Sequence, residues 1–221
     1  MRTILLLTFT LLLNSIHANA KPIKEIQIGL SYNTLKWKIT NPIFQSPTTY
    51  NYNKFNIKPT IRFSYTFLFN KINNFKLTTF LGYGNFGGKS KSDTTKFKEV
   101  YSNHCIIIGL FPNYQIIKKT SIGIGIKLNY ALLNLYKYYG TIYQSDTLPR
   151  KWFTENVADR FKKLSTNIGF NIKHNYQRFS FSFEAWFGLS NLDRIKSTIY
   201  KSTINENNYN LILGYSISKG K

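Results

Sequence analysis

A chain of 221 residues with 30 Lys and Arg against 9 Asp and Glu carries a net charge of +21, a balance that points to anionic surfaces: lipopolysaccharide, phospholipid, polysaccharide or nucleic acid. Its single cysteine, Cys105, excludes an internal disulfide framework and does not sit where a lipid anchor would need it. Beyond the first twenty residues no stretch approaches the roughly 18 uninterrupted apolar residues of a transmembrane helix, so the chain is either secreted and soluble or crosses a membrane as strands.

Residues 1–20 have the layout of a secretion signal: Arg2, an apolar run from Ile4 to Leu13, and Ala18-Asn19-Ala20 as a small-x-small cleavage site. The expected mature domain is 21–221, with a charge of about +20 once Arg2 is removed. A secreted protein meets membrane before nucleic acid, so the expected partners are lipid and not nucleic acid. Aromatic residues make up 17% of the chain, and they favour strands and membrane interfaces.

From Ile26 onward the sequence alternates with period two, the signature of strands with one apolar face. The runs are IQIGLSY, FNIKPTIRFSYTFLF, FKLTTFLGYG, CIIIGLFPNY, SIGIGIKLNY, STNIGFNIKH, FSFSFEAWFGLS and YNLILGYSI. Their connections alternate between long and short. NKINN, QIIKK and NYQR are the short ones, whereas Asn85 to about Glu99, Lys137 to about Lys162 and Asn191 to about Glu206 read as loops. Eight strands with every long loop at one end predict an all-β, antiparallel up-and-down transmembrane barrel with periplasmic termini and short periplasmic turns.

The face opposite the apolar one is rich in glycine: Gly29, Gly82, Gly109, Gly123, Gly125, Gly169, Gly188 and Gly214. An eight-stranded barrel is only just wide enough inside for side chains, so these glycines make room for Trp186, Phe80, Phe111, Arg62 and the inward lysines. The apolar face then points to lipid. Tyr32, Tyr83, Tyr130 and Tyr209 at the long-loop ends, and Phe69, Phe75, Tyr114, Tyr176, Phe179 and Tyr215 near the short turns, predict two interfacial girdles.

Across Ile26 to Ile217 the chain resembles the small outer-membrane β-barrel proteins of Gram-negative bacteria, both the OmpA/OmpX-like eight-stranded group and the generic outer-membrane protein β-barrel domain family. The resemblance implies insertion by the barrel-assembly machinery. Family members usually end on an aromatic residue that this machinery reads, whereas this chain ends GYSISKGK, with Tyr215 its last aromatic.

Chemistry has few places to reside. Lys58, Arg62, Lys76, Lys127 and Lys173 face inward with Glu184 as the one mid-strand acid, and Arg62 is its expected partner across two intervening strands. Anion passage or binding in such a lumen is the functional alternative to a structural charge network. His104, Ser102 and Asp93 could form an acyl-transfer set, although register turns His104 toward lipid. His174 has no evident catalytic partner, and the spacing of Cys and His suits no metal. GNFGGKSKS precedes no helix and so is not read as a phosphate loop. Lys89, Lys91, Lys96, Lys98, Arg150 and Lys151 in the external loops are the candidates for contact with anionic lipid.

The expected protein is thus a monomeric, non-enzymatic outer-membrane barrel without cofactor, serving a structural, adhesive or surface-interaction role with outer-membrane lipid and lipopolysaccharide as partners. Two alternatives stand: a lipid-modifying barrel enzyme, and a secreted soluble barrel with its apolar face inward around a ligand.

Overall fold

Alternation of β-branched or aromatic side chains with small and polar ones favours extended backbone, and every such run is a strand in the computed structural model. Residues 22–40, 47–68, 74–91, 98–140, 151–194 and 201–217 are described, so the expected signal peptide and its cleavage site lie outside them. The strands are β1 (Ile23–Thr40), β2 (Pro47–Tyr52), β3 (Ile57–Leu68), β4 (Phe75–Phe86), β5 (Lys89–Lys91), β6 (Lys98–Ile117), β7 (Thr120–Gly140), β8 (Lys151–Asn156), β9 (Leu164–Tyr176), β10 (Phe179–Gly188) and β11 (Lys201–Ser216).

Eight of them close into a ring, β1-β3-β4-β6-β7-β9-β10-β11 and back to β1, with every pair antiparallel. Closure matters energetically, because each backbone donor and acceptor at membrane depth then has a partner where no water can supply one. Side chains confirm the sense of the barrel. Ile124 is 67% exposed and Leu211 65%, while Trp186 is 0% and Glu184 1%. That inverts a soluble protein. The alternative of a soluble barrel with its apolar face around a ligand is therefore wrong: the alternation is as expected, but the ring turns its polar face inward.

The strands outrun the alternating segments at the long-loop end. A tilted membrane strand needs about 9–11 residues, whereas β7 runs from Thr120 to Gly140. Its outward apolar run reaches Tyr130 near the middle, so the second half projects beyond the bilayer. Strands also form within three of the long connections: β2 pairs with the end of β1, β5 with β6, and β8 with the end of β7. The loop expected to run to about Glu206 ends earlier, with β11 beginning at Lys201, and β6 extends through Ile117 to leave only Lys118 and Lys119 as its turn. These segments lack a clean apolar face because they lie in water, and backbone pairing to longer neighbours holds them instead.

The extramembrane part has its own apolar core of Leu35, Tyr52, Tyr101, Phe161, Leu192 and Ile204. Tyr101 anchors it, edge-on to Tyr52 at 4.9 Å and against Tyr136 at 4.6 Å. Of the expected girdles, Tyr32 stacks on Tyr209 at 6.1 Å at the external end, and Phe179 packs on Tyr215 at 5.4 Å at the other. Phe69 lies outside the described residues.

Candidate functional site

Buried charged groups of both signs converge in the interior. β3 carries Arg62 and β10 carries Glu184 inward, and closure of the ring through β1 and β11 brings them together as a two-armed ion pair. One guanidinium nitrogen donates to Glu184 Oε2 at 3.0 Å, and the other bonds Oε1. Arg62 Nε donates to Gln27 Oε1 at 2.6 Å, Trp186 Nε1 donates to Glu184 Oε2 at 3.0 Å, and the guanidinium lies 4.2 Å over the Phe80 ring. Both charges are almost fully buried, so these bonds supply the solvation that water cannot.

Trp186, Phe80 and Phe111 fill the lumen beside this pair, with Phe111 to Trp186 at 4.7 Å and Phe80 to Trp186 at 6.1 Å. Each ring lies over a glycine of a neighbouring strand. A Cβ at Gly109 would enter the Phe80 ring, one at Gly125 the Phe111 ring, and one at Gly169 the Trp186 ring. Gly82 gives way in the same manner to Arg62, its cross-strand partner. Gly109→Leu is expected to destabilise the barrel by about 1–3 kcal/mol through overpacking. Urea unfolding in lipid measures this, and Phe80→Ala in the same chain should recover part of the loss.

The other inward cations do not share Glu184 equally. Lys127 Nζ donates to Asn208 Oδ1 at 2.5 Å and lies 4.9 Å from the Trp186 ring and 4.5 Å from that of Phe86. Lys58 sits nearer the external end, bonded to the Tyr101 carbonyl at 3.2 Å and to the Ser102 hydroxyl. Lys76 is on β4 toward the short turns, with Lys173 as the charge that acts on it. Gly29, Gly123, Gly188 and Gly214 also stand on the inward face, where a Cβ would meet Ile212, the Asn113 and Asn171 amides, the Glu206 backbone and Ser180 respectively.

Glu184 is not the only acid in the lumen, contrary to the expectation. Glu206 accepts from the Gly87 amide at 2.7 Å with Lys127 and Lys58 as its charged neighbours, and Glu25 binds Lys173 at 2.7 Å. Both lie beyond the clean alternating runs, where parity alone marks their side: Glu25 precedes Gln27 by two residues, and Glu206 precedes Asn208 by two.

A family model described as the outer membrane protein beta-barrel domain matches residues 21–194. The chain belongs to the outer membrane protein beta-barrel domain family.

Membership places this barrel in the outer membrane. No curated protein matches the sequence. Among solved structures the barrel is similar to Ail, the attachment invasion locus protein of Yersinia pestis, in complex with the heparin analogue sucrose octasulfate, at 12% identity and a TM-score of 0.47 over 89% of this chain and 99% of that one. It is also similar to the outer membrane protease OmpT of Escherichia coli, at 13% identity and a TM-score of 0.41 over 88% and 97%. Likenesses this distant carry no argument about role.

In this outer-membrane barrel the acyl-transfer set is not assembled. His104 Nδ1 pairs with the Tyr83 hydroxyl at 2.5 Å on the outer face, while Ser102 is bonded to Lys58 on the inner one. The step between His104 and Cys105 is a bulge, with Leu132 of β7 as the extra residue, but it does not bring the two together. Asp93 lies outside the described residues, as do Lys96 and Arg150 among the loop cations. Lys89, Lys91 and Lys98 belong to the β5–β6 ladder, and Lys151 opens β8.

Proposed function

We propose that this barrel is a non-enzymatic surface protein whose external end binds phosphorylated lipid, lipopolysaccharide above all, in a structural or adhesive role. The observation that carries the reading is the external ladder in which Lys91 stands directly opposite Lys98, with Lys89 two residues away on the same short strand. The three lysines set positive charge at the external end of the barrel, where phosphorylated headgroups lie. The whole-chain excess of 30 cations over 9 acids acts in the same direction. Phosphates at a membrane surface reward each nearby lysine by about 1 kcal/mol.

In this reading the chain is exported on a cleaved signal, inserted by the barrel-assembly machinery, and works as a monomer without nucleic acid. Closure supports the monomer, because the eight-stranded ring leaves no unpaired edge within the membrane. The test is a titration of lipid A against the protein in zwitterionic nanodiscs. Replacing Lys89, Lys91 and Lys98 together by glutamine is expected to weaken binding on the order of a hundredfold and to flatten its salt dependence. Unchanged affinity in that variant would remove the proposal.

A further inference from the structure

At the short-turn end the lumen opens into a polar vestibule of about 330 Å³. Its charged lining is Glu25, Lys76, Lys173 and Arg178, with hydroxyls from Thr78 on the strand of Lys76 and from Ser121 on β7. The charges do not balance internally. Glu25 Oε2 is already saturated, accepting from Gln27 at 2.7 Å, Lys173 at 2.7 Å, Ser64 at 3.3 Å and Ser180 at 3.4 Å. Arg178 at the rim spends one nitrogen on the Tyr215 hydroxyl at 3.2 Å, leaving the rest of its fork open.

Lys76 is the anomaly. It is half-buried inside the barrel wall, faces Lys173 of the same sign, and has neither a carboxylate nor a hydrogen-bond acceptor among the described residues. The Ser121 hydroxyl, in a residue 3% exposed, also has no hydrogen-bond partner there. A half-buried cation held beside another cation is costly unless something negative joins them. With Glu25 set against Lys173, the lining retains two positive charges, Lys76 and Arg178.

We propose that this vestibule is a periplasm-facing binding site for a small doubly charged oxyanion of the phosphate-monoester class. The dianion matches the residual charge, and its oxygens accept from the Lys76 ammonium, the Arg178 fork and the Ser121 hydroxyl. The site is separate from the external basic ladder and faces the opposite side of the membrane. Trp186, Phe80 and Phe111 stand between the two, so the vestibule captures rather than conducts.

The test uses the full-length protein in zwitterionic nanodiscs, titrated with inorganic phosphate at low ionic strength and followed by phosphorus NMR line broadening. The wild type should show saturable binding. Lys76→Gln should bind about tenfold more weakly, as expected for loss of one charge-assisted contact, while keeping the heat-dependent gel mobility and thermal midpoint of the wild type. Lys201→Gln, an exposed cation at the external end, should bind phosphate like the wild type. Equal binding by Lys76→Gln, an equal loss in Lys201→Gln, or no saturable binding by the wild type each overturns the proposal. So does loss of phosphate binding when phosphatidylglycerol replaces the zwitterionic lipid, which would assign the site to a lipid headgroup.

Discussion

Glu184→Ala is expected to lower the stability of the barrel by about 3–5 kcal/mol, the usual cost of leaving one partner of a buried ion pair uncompensated. Glu184 accepts from both arms of Arg62, from Trp186 Nε1 and, at 3.5 Å, from Asn210 Nδ2, so its removal leaves several donors short of an acceptor at once. Arg62 would retain Gln27 Oε1 and the face of Phe80, which soften the loss without replacing the charge. Glu206 does not take over, since its charged neighbours are Lys127 and Lys58. Urea unfolding in lipid, with gel mobility of boiled and unboiled samples as the check on folding, reads the effect. Arg62→Met combined with Glu184→Leu should recover most of it, because an apolar pair of similar volume avoids the desolvation that the ion pair bears. A Glu184→Ala barrel as stable as the wild type would show that the pair carries no net weight in the lumen.

The second large effect is expected at Trp186. Its side chain is wholly buried, and Trp186→Ala should cost about 3–5 kcal/mol, because it opens a cavity in the lumen and leaves Phe111 and Phe80 without the ring they pack against. Trp186→Phe separates packing from polarity: it keeps an aromatic ring over Gly169 but removes the donor to Glu184, and should lose only about 1–3 kcal/mol. Trp37 and Trp152 remain as fluorescence probes in both variants, so unfolding can be followed the same way throughout. Equal losses for the two would mean that the indole hydrogen bond, not the filled volume, is the important term.

The extent of the membrane barrel is legible because period-two alternation is a local property: Ile122, Ile124 and Ile126 declare one face and Gly123 and Gly125 the other without reference to any other part of the chain. The extramembrane half is not legible that way. Leu35, Tyr52, Tyr101, Phe161, Leu192 and Ile204 come from four different connections and form a core only after the strands beneath have been registered. Lys137 to Lys162 reads as a loop since its residues alternate poorly, yet β8 forms there because the end of β7 offers an open edge to pair with.

By itself, then, the sequence determined that this is an eight-stranded barrel, which face of each strand meets lipid, and where small residues line the inside. The Arg62–Glu184 contact was legible from two mid-strand positions with two strands between them, but only the tertiary structure decided the other inward contacts. Parity assigns a side to Arg62, Glu184, Lys76 and Lys173, but contact between them depends on strand stagger and on closure of the ring, which bring together residues as far apart in the chain as Glu25 and Lys173. Faces follow from neighbours two residues apart, whereas partners follow from hydrogen-bond register accumulated around the whole barrel.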